Sequence, residues 1–178
     1  MRRKNMEHLI TWKNKKNRLP MILLGARQVG KTYLIKEFAE KHYENYVYLN
    51  FELDPSLEAL YEKDLDTKRI LSEIELYLNR RIEPRKTLIV FDEIQIAEKG
   101  ITALKYFAEQ LPEYDIICAG SLLGVAVHRN TFSFPVGKVE FMYLYPFTFD
   151  EFLMGTGQSI YIDKINHCYE KNESMPLP

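Results

Sequence analysis

Apolar and polar positions along the chain fall into two alternating rhythms. Met21 to Leu24 is an unbroken apolar run that ends in Gly25, and Lys31 to His42 then spaces Leu34, Ile35 and Phe38 along one helical face. Strand, glycine-containing turn and helix are predicted in that order. Tyr46 to Phe51 is a second β-rich run. Asp54-Pro55-Ser56 breaks it and offers an N-cap for a short acidic helix. Residues 68–81 place Ile70, Leu71, Ile74 and Leu78 at helical spacing, with Glu83-Pro84 as the stop. Thr87 to Phe91 reads as a central buried strand. A helix from about Thr102 ends at Leu111-Pro112, and Asp115 to Ala119 is another strand, closed by Gly120-Ser121. Leu122 to Val127 should begin a further helix, Val139 to Tyr145 a last strand, and Phe149 to Met154 and Ile160 to Tyr169 terminal helical pieces. Strands separated by helices imply parallel β-α-β units. The expectation is an α/β fold with three helix-sheet-helix layers, a parallel sheet of about five strands, and ligand chemistry at the strand C-termini.

Composition narrows this picture without changing it. The 178 residues suit one ordinary domain. The expected division is a basic lead-in (1–18), a core (19–172), and a linker (173–178) to a C-terminal region outside this chain. A net charge of -1 excludes a chain that is polybasic throughout. Residues 1–18 nevertheless hold Arg2, Arg3, Lys4, Lys13, Lys15, Lys16 and Arg18 against Glu7 alone, with Leu9, Ile10 and Trp12 among them. Either a helix docks Trp12 on the core and solvates its lysines, or the segment seeks phosphates, DNA among them. Cys118 and Cys168 show no pairing or zinc spacing, and the four histidines share no ligand spacing. No signal peptide and no apolar run of about 18 residues is present, so a cytoplasmic location without membrane contact is expected. Tyr143, Tyr145, Phe147, Phe149 and Phe152 alternate and then fall on helical spacing, which reads as core rather than a base-stacking platform.

The chemistry is concentrated in Gly25-Ala26-Arg27-Gln28-Val29-Gly30-Lys31-Thr32, which satisfies G-x-x-x-x-G-K-[ST] between strand and helix. This is the pattern of a P-loop, or Walker A motif. Glycines permit the backbone curl, and amides with the helix N-terminus can bind phosphate oxygens. Lys31 can span the β- and γ-phosphates, and Thr32 offers a hydroxyl to Mg²⁺. Leu88 to Phe91 then ends in Asp92 and Glu93, 61 residues after Lys31. In this Walker B position Asp92 can hold Mg²⁺ through water, and Glu93 can polarise an attacking water. One strand, Tyr46 to Phe51, lies between the motifs, which points to the P-loop class with an additional central strand and a catalytic glutamate. Nucleotide kinases and small GTPases are disfavoured. Ser121 can sense the γ-phosphate or cap the helix beginning at Leu122. Arg129 and Lys138 are candidate stabilising cations or surface charges.

From Trp12 to Gly155 the order of motifs resembles a known family. Besides the loop these are Asn50-Phe51-Glu52, Asp92-Glu93-Ile94-Gln95, Leu104-Lys105-Tyr106-Phe107, Gly120-Ser121-Leu122-Leu123-Gly124 and Ser133-Phe134-Pro135-Val136-Gly137-Lys138-Val139. The chain is similar to prokaryotic AAA-type P-loop ATPases, related to the AAA+ and archaeal-type enzymes, that carry a C-terminal domain of unknown function. The resemblance implies ATP binding at Gly25 to Thr32, magnesium at Thr32 and Asp92, water activation by Glu93 and a sensor role for Ser121. It implies a possible homo-oligomer and a C-terminal domain as partners. In AAA+ relatives an arginine from a neighbouring subunit often completes the site. The corresponding position here is Lys138, a point charge without the planar fork. An ATP-hydrolysing domain is therefore expected, with a slow nucleotide-dependent switch or a DNA-directed ATPase using residues 2–18 as the alternatives.

Overall fold

The computed structural model describes residues 3–120 and 135–175. Five parallel strands form one sheet: β1 (Met21–Leu24), β2 (Asn45–Asn50), β3 (Thr87–Asp92), β4 (Asp115–Ala119) and β5 (Glu140–Tyr143), in the order β2-β3-β4-β1-β5. Helices α1 (Asn5–Asn14), α2 (Lys31–His42), α3 (Thr67–Leu78) and α4 (Glu98–Gln110) cover the sheet, and α5 (Phe149–Gly155) and α6 (Ile160–Lys171) follow it. Two 3-10 segments, Pro55–Tyr61 and Ile94–Ile96, complete the described elements. The strand that separates β1 from β3 in the sheet is β4, whereas β2, which separates them in sequence, lies at an edge.

Strand alternation builds two cores from the same strands. Ile22, Leu24, Val47, Leu49, Ile89, Phe91, Ile116 and Cys118 face α3, α4 and the first 3-10 segment through Ile70, Ile74, Leu104, Phe107 and Tyr61. Met21, Leu23, Leu88, Val90, Ile117 and Ala119 face α1 and α2 through Leu9, Trp12, Leu34, Ile35 and Phe38. The central strands are apolar at consecutive positions because both faces are covered. Three layers result. At one end of the sheet, Leu23 registers with Ala119, Ala119 with Asp92 and Asp92 with Asn50, so every strand carries its C-terminus to a single edge.

Trp12 is buried and donates to the Leu19 carbonyl at 2.8 Å, so the lead-in segment packs as a helix on the core. Its cations are largely paired: Lys4 with Asp150 (3.3 Å), Arg18 with Asp115, Lys15 with Glu140, and Lys13 on the His42 carbonyl.

Three expectations need correction. The helix predicted over 68–81 ends at Leu78, because Asn79 enters the left-handed region (φ 47°) and Arg80 N–H closes on the Glu75 carbonyl at 2.9 Å. The helix expected from about Thr102 begins earlier, at Glu98, whereas the short helix expected after Asp54 is present in 3-10 form with Asp54 as its N-cap. The aromatics assigned to the core are exposed, from 43% at Phe147 to 69% at Tyr145. For Tyr143 and Tyr145 the cause is position: β5 is an edge strand that turns Met142 inward, with Leu144 following, and leaves Phe141, Tyr143 and Tyr145 outward. Lys138 lies just before β5, whose Glu140 registers with Met21, the first residue of β1. It pairs with Glu109 at 3.0 Å, at the end of the sheet opposite the strand C-termini. Ser121, the helix predicted at Leu122 to Val127, and Arg129 lie outside the described residues.

Candidate functional site

The segment Gly25 to Thr32 leaves the C-terminal end of β1 and enters α2, with Gly30 in the left-handed region (φ 91°) just before the first helical turn. A side chain at Gly25 would stand 2.3 Å from the Leu144 carbonyl, so only glycine lets the loop start beside the chain leaving β5. Gln28 also has positive φ (63°), giving the loop two closely spaced reversals. Inside this curl Lys31 is buried and folded back, its Nζ donating to the carbonyls of Gly25 (2.9 Å) and Ala26 (2.8 Å). Burial pushes its ammonium below the ordinary lysine value, against Glu93 and Asp92, which pull it up. At the loop tip Arg27 pairs loosely with Glu52 at 3.7 Å, both exposed.

Parallel register brings β3 to the same edge. Asp92 is buried, and its Oδ2 accepts from Thr32 Oγ1 at 3.0 Å and from the Tyr48 hydroxyl. Its Oδ1 accepts from the Glu93 N–H at 3.1 Å. Glu93 adopts φ 53° and ψ 38°, a conformation that costs a non-glycine residue on the order of 1 kcal/mol and is typical of functional positions. Gln95 Nε2 donates to Glu93 Oε2, while Gln95 Oε1 is buried beside Gly120 with no partner among the described residues. Thr32, Asp92 and Glu93 are thus joined by direct or backbone-linked contacts, although 60 residues separate the first two.

The chemistry of the donor set fits a hard divalent cation. Asp92 and Thr32 offer oxygen only, and Mg²⁺ typically takes one or two protein oxygens with the remainder from phosphates and water. Among the described residues no group of three or more His, Cys, Asp or Glu side chains could hold a metal by itself.

Three neighbouring residues escaped the motif reading. Tyr48 holds Asp92 and accepts from Asn50 Nδ2 at 3.3 Å, and burial pushes its hydroxyl up to about 12, helped by the Asp92 carboxylate. Alternation along β2, with Val47 and Leu49 buried and Tyr46, Tyr48 and Asn50 half-buried, was the signal available. Gln95 stands in a quoted motif, but nothing in its spacing shows it turning back on Glu93. Arg3, far from the loop in sequence, reaches the Val29 carbonyl.

The profile of a family described as AAA domain matches residues 17–153. No curated protein matches the sequence. Among solved structures, the Walker-type ATPase of Pyrococcus abyssi aligns over 98% of this chain and 60% of its own, with TM-score 0.53 and 17% identity. Cdc6p from Pyrobaculum aerophilum aligns over 90% of this chain and 50% of its own, with TM-score 0.51 and 16% identity. The chain therefore spans about half to three-fifths of the length of these two structures, which share its fold. No helix among the described residues is long and apolar enough to cross a membrane.

Proposed function

The chain belongs to this AAA domain family, and from that premise we propose that it binds ATP with Mg²⁺ at Gly25 to Thr32 and hydrolyses it. The observation that carries the reading is the meeting of Thr32 with Asp92 beside a loop whose lysine is buried. Lys31 exchanges the Gly25 and Ala26 carbonyls for β- and γ-phosphate oxygens, so the free loop keeps the ammonium satisfied until an anion arrives. Thr32 and Asp92 would hold the metal, which would supply charge neutralisation for the phosphate oxygens. Glu93 orients a water toward the γ-phosphorus and accepts its proton. The water oxygen bonds to the γ-phosphorus as the bond from that phosphorus to the bridging oxygen breaks, leaving ADP and inorganic phosphate. Ser121 belongs to this proposal as a γ-phosphate sensor. Arg129 and Lys138 remain candidate stabilising cations, with Lys138 weakened as a cis candidate by its pairing with Glu109.

Glu93→Gln tests the role of the glutamate: it should retain ATP binding and lose about 10² to 10⁴ in turnover. Wild-type turnover in that variant would remove Glu93 as the base. The bond from Gln95 to Glu93 favours the slow-switch reading as a second possibility, since it holds the proposed base in the free protein. Turnover that rises several-fold in Gln95→Ala would support it. The pairing of Lys4, Lys15 and Arg18 within the chain supports a docked lead-in helix over a DNA-seeking arm.

A further inference from the structure

The segment Gly25 to Thr32 is gripped at Val29 by a residue from the start of the chain. Arg3 is 5% exposed, and its Nη2 donates to the Val29 carbonyl. Its Nη1 donates to Glu151 Oε2 at 3.1 Å and to the Tyr145 carbonyl at 3.2 Å, and the guanidinium lies 3.6 Å from the centre of the Phe147 ring. Glu151 is fixed as well. It accepts from the backbone N–H groups of Lys4 (3.1 Å) and Thr148 (3.0 Å) within the capping box that starts α5. A buried charge pair holds its place only when its hydrogen bonds are met, and here both partners meet several.

The consequence follows from peptide geometry. The bond from Val29 to Gly30 is trans and planar, so its carbonyl and its N–H point in opposite directions. With the carbonyl held by Arg3, the Gly30 N–H points away from the guanidinium. We propose that Arg3 is a positioning residue for phosphate binding, which holds the Val29–Gly30 peptide with its N–H ready to receive a phosphate oxygen. The inference rests on the reading of Gly25 to Thr32 as a phosphate cradle, and adds that the cradle is set in advance by the Arg3–Glu151 pair.

The test is calorimetric titration of ATP and of pyrophosphate into the wild-type chain, Arg3→Gln, the double variant Arg3→Gln with Glu151→Gln, and Asn5→Ala. Pyrophosphate lacks the base and sugar and so isolates the phosphate contacts. The double variant leaves no unpaired buried carboxylate and remains informative where the single one fails to fold. Asn5→Ala cuts another tie of the same segment, to the Tyr143 carbonyl at 3.0 Å, without touching the loop. Loss of the Arg3 contact should raise Kd for both ligands by about tenfold, the scale of one charge-assisted hydrogen bond, while Asn5→Ala stays close to wild type. Wild-type affinity for pyrophosphate in the folded Arg3 variants would overturn the proposal. So would an equal loss in Asn5→Ala, which would reduce Arg3 to an anchor. Absence of binding by the wild type itself would instead overturn the cradle reading, and this inference with it.

Discussion

Two buried aspartates stand at opposite ends of the central strands, and they are treated in opposite ways. Asp115 opens β4 and is met by two guanidinium groups, Arg18 in a forked contact and Arg85 at 3.6 Å, with the Tyr43 hydroxyl at 3.0 Å. Asp92 closes β3 at the other end, and its carboxylate accepts from the hydroxyls of Thr32 and Tyr48 and from the Glu93 N–H. Both carboxylates are at least 95% buried. A buried carboxylate needs compensation, and one compensated by arginine is a structural clamp with little left to offer a ligand. Asp92, held by neutral donors with the Lys31 charge nearby, retains the electrostatic demand that a divalent cation can meet. The same residue type on adjacent strands therefore serves stability at one end of the sheet and, in the proposed function, chemistry at the other.

The contrast can be broken in order of expected effect. Asp92→Asn should cut ATP turnover by at least about 10² while leaving the unliganded thermal midpoint within a few degrees of wild type. A collapse in stability equal to the loss of turnover would make Asp92 a second clamp. Arg18→Ala should do the reverse. It leaves Asp115 partly uncompensated and should cost about 3 kcal/mol in chemical denaturation, with ATP affinity unchanged in the folded protein. Tyr48→Phe sharpens the picture at Asp92 itself. Removing this partner should raise the Mg²⁺ concentration needed for half-maximal ATP-dependent stabilisation about tenfold, and an unchanged requirement would limit Tyr48 to packing.

The smallest effect concerns pH. Burial would raise the Glu151 carboxyl, but the Thr148 and Lys4 amides and the Arg3 guanidinium outweigh it and hold the group below its ordinary 4.5. A depressed carboxyl contributes stability above its unfolded value and loses it as pH falls through the folded one. Thermal midpoints of wild type and Glu151→Gln should therefore differ at pH 7 and converge as the pH falls from 4.5 through the lowered folded value. Parallel curves would show that the charge on Glu151 contributes nothing.

Much of the scaffold was legible because it follows from local rules. Met21–Leu24 and Lys31–His42 occupy the predicted spans, since an apolar run and a helical stripe each carry their own period. The junction of Thr32 with Asp92 was also accessible, because parallel strands deliver their C-termini to one edge. What stayed hidden depends on partners distant in sequence. The outward turn of Tyr143 and Tyr145 required knowing that β5 is an edge. The clamp on Asp115 joins residues 18, 43, 85 and 115. Arg3 meets Glu151 across 148 positions, and no periodicity links them. The early stop of α3 at Asn79 was missed for a local reason, because asparagine's tolerance of the left-handed region competed with a helical stripe that runs on.

The most direct test of the central claim is the thermal midpoint of wild type and Asp92→Asn, each with ATP plus Mg²⁺ and with ATP plus a chelator. At ligand about 100 times Kd, Mg²⁺ with ATP should raise the wild-type midpoint by about 5 to 10 °C. The chelator should remove much of that rise, and Asp92→Asn should not distinguish the two conditions. A wild-type midpoint that ignores Mg²⁺, or an Asp92→Asn protein that responds to it as fully as wild type, would contradict the assignment of this carboxylate to a cation.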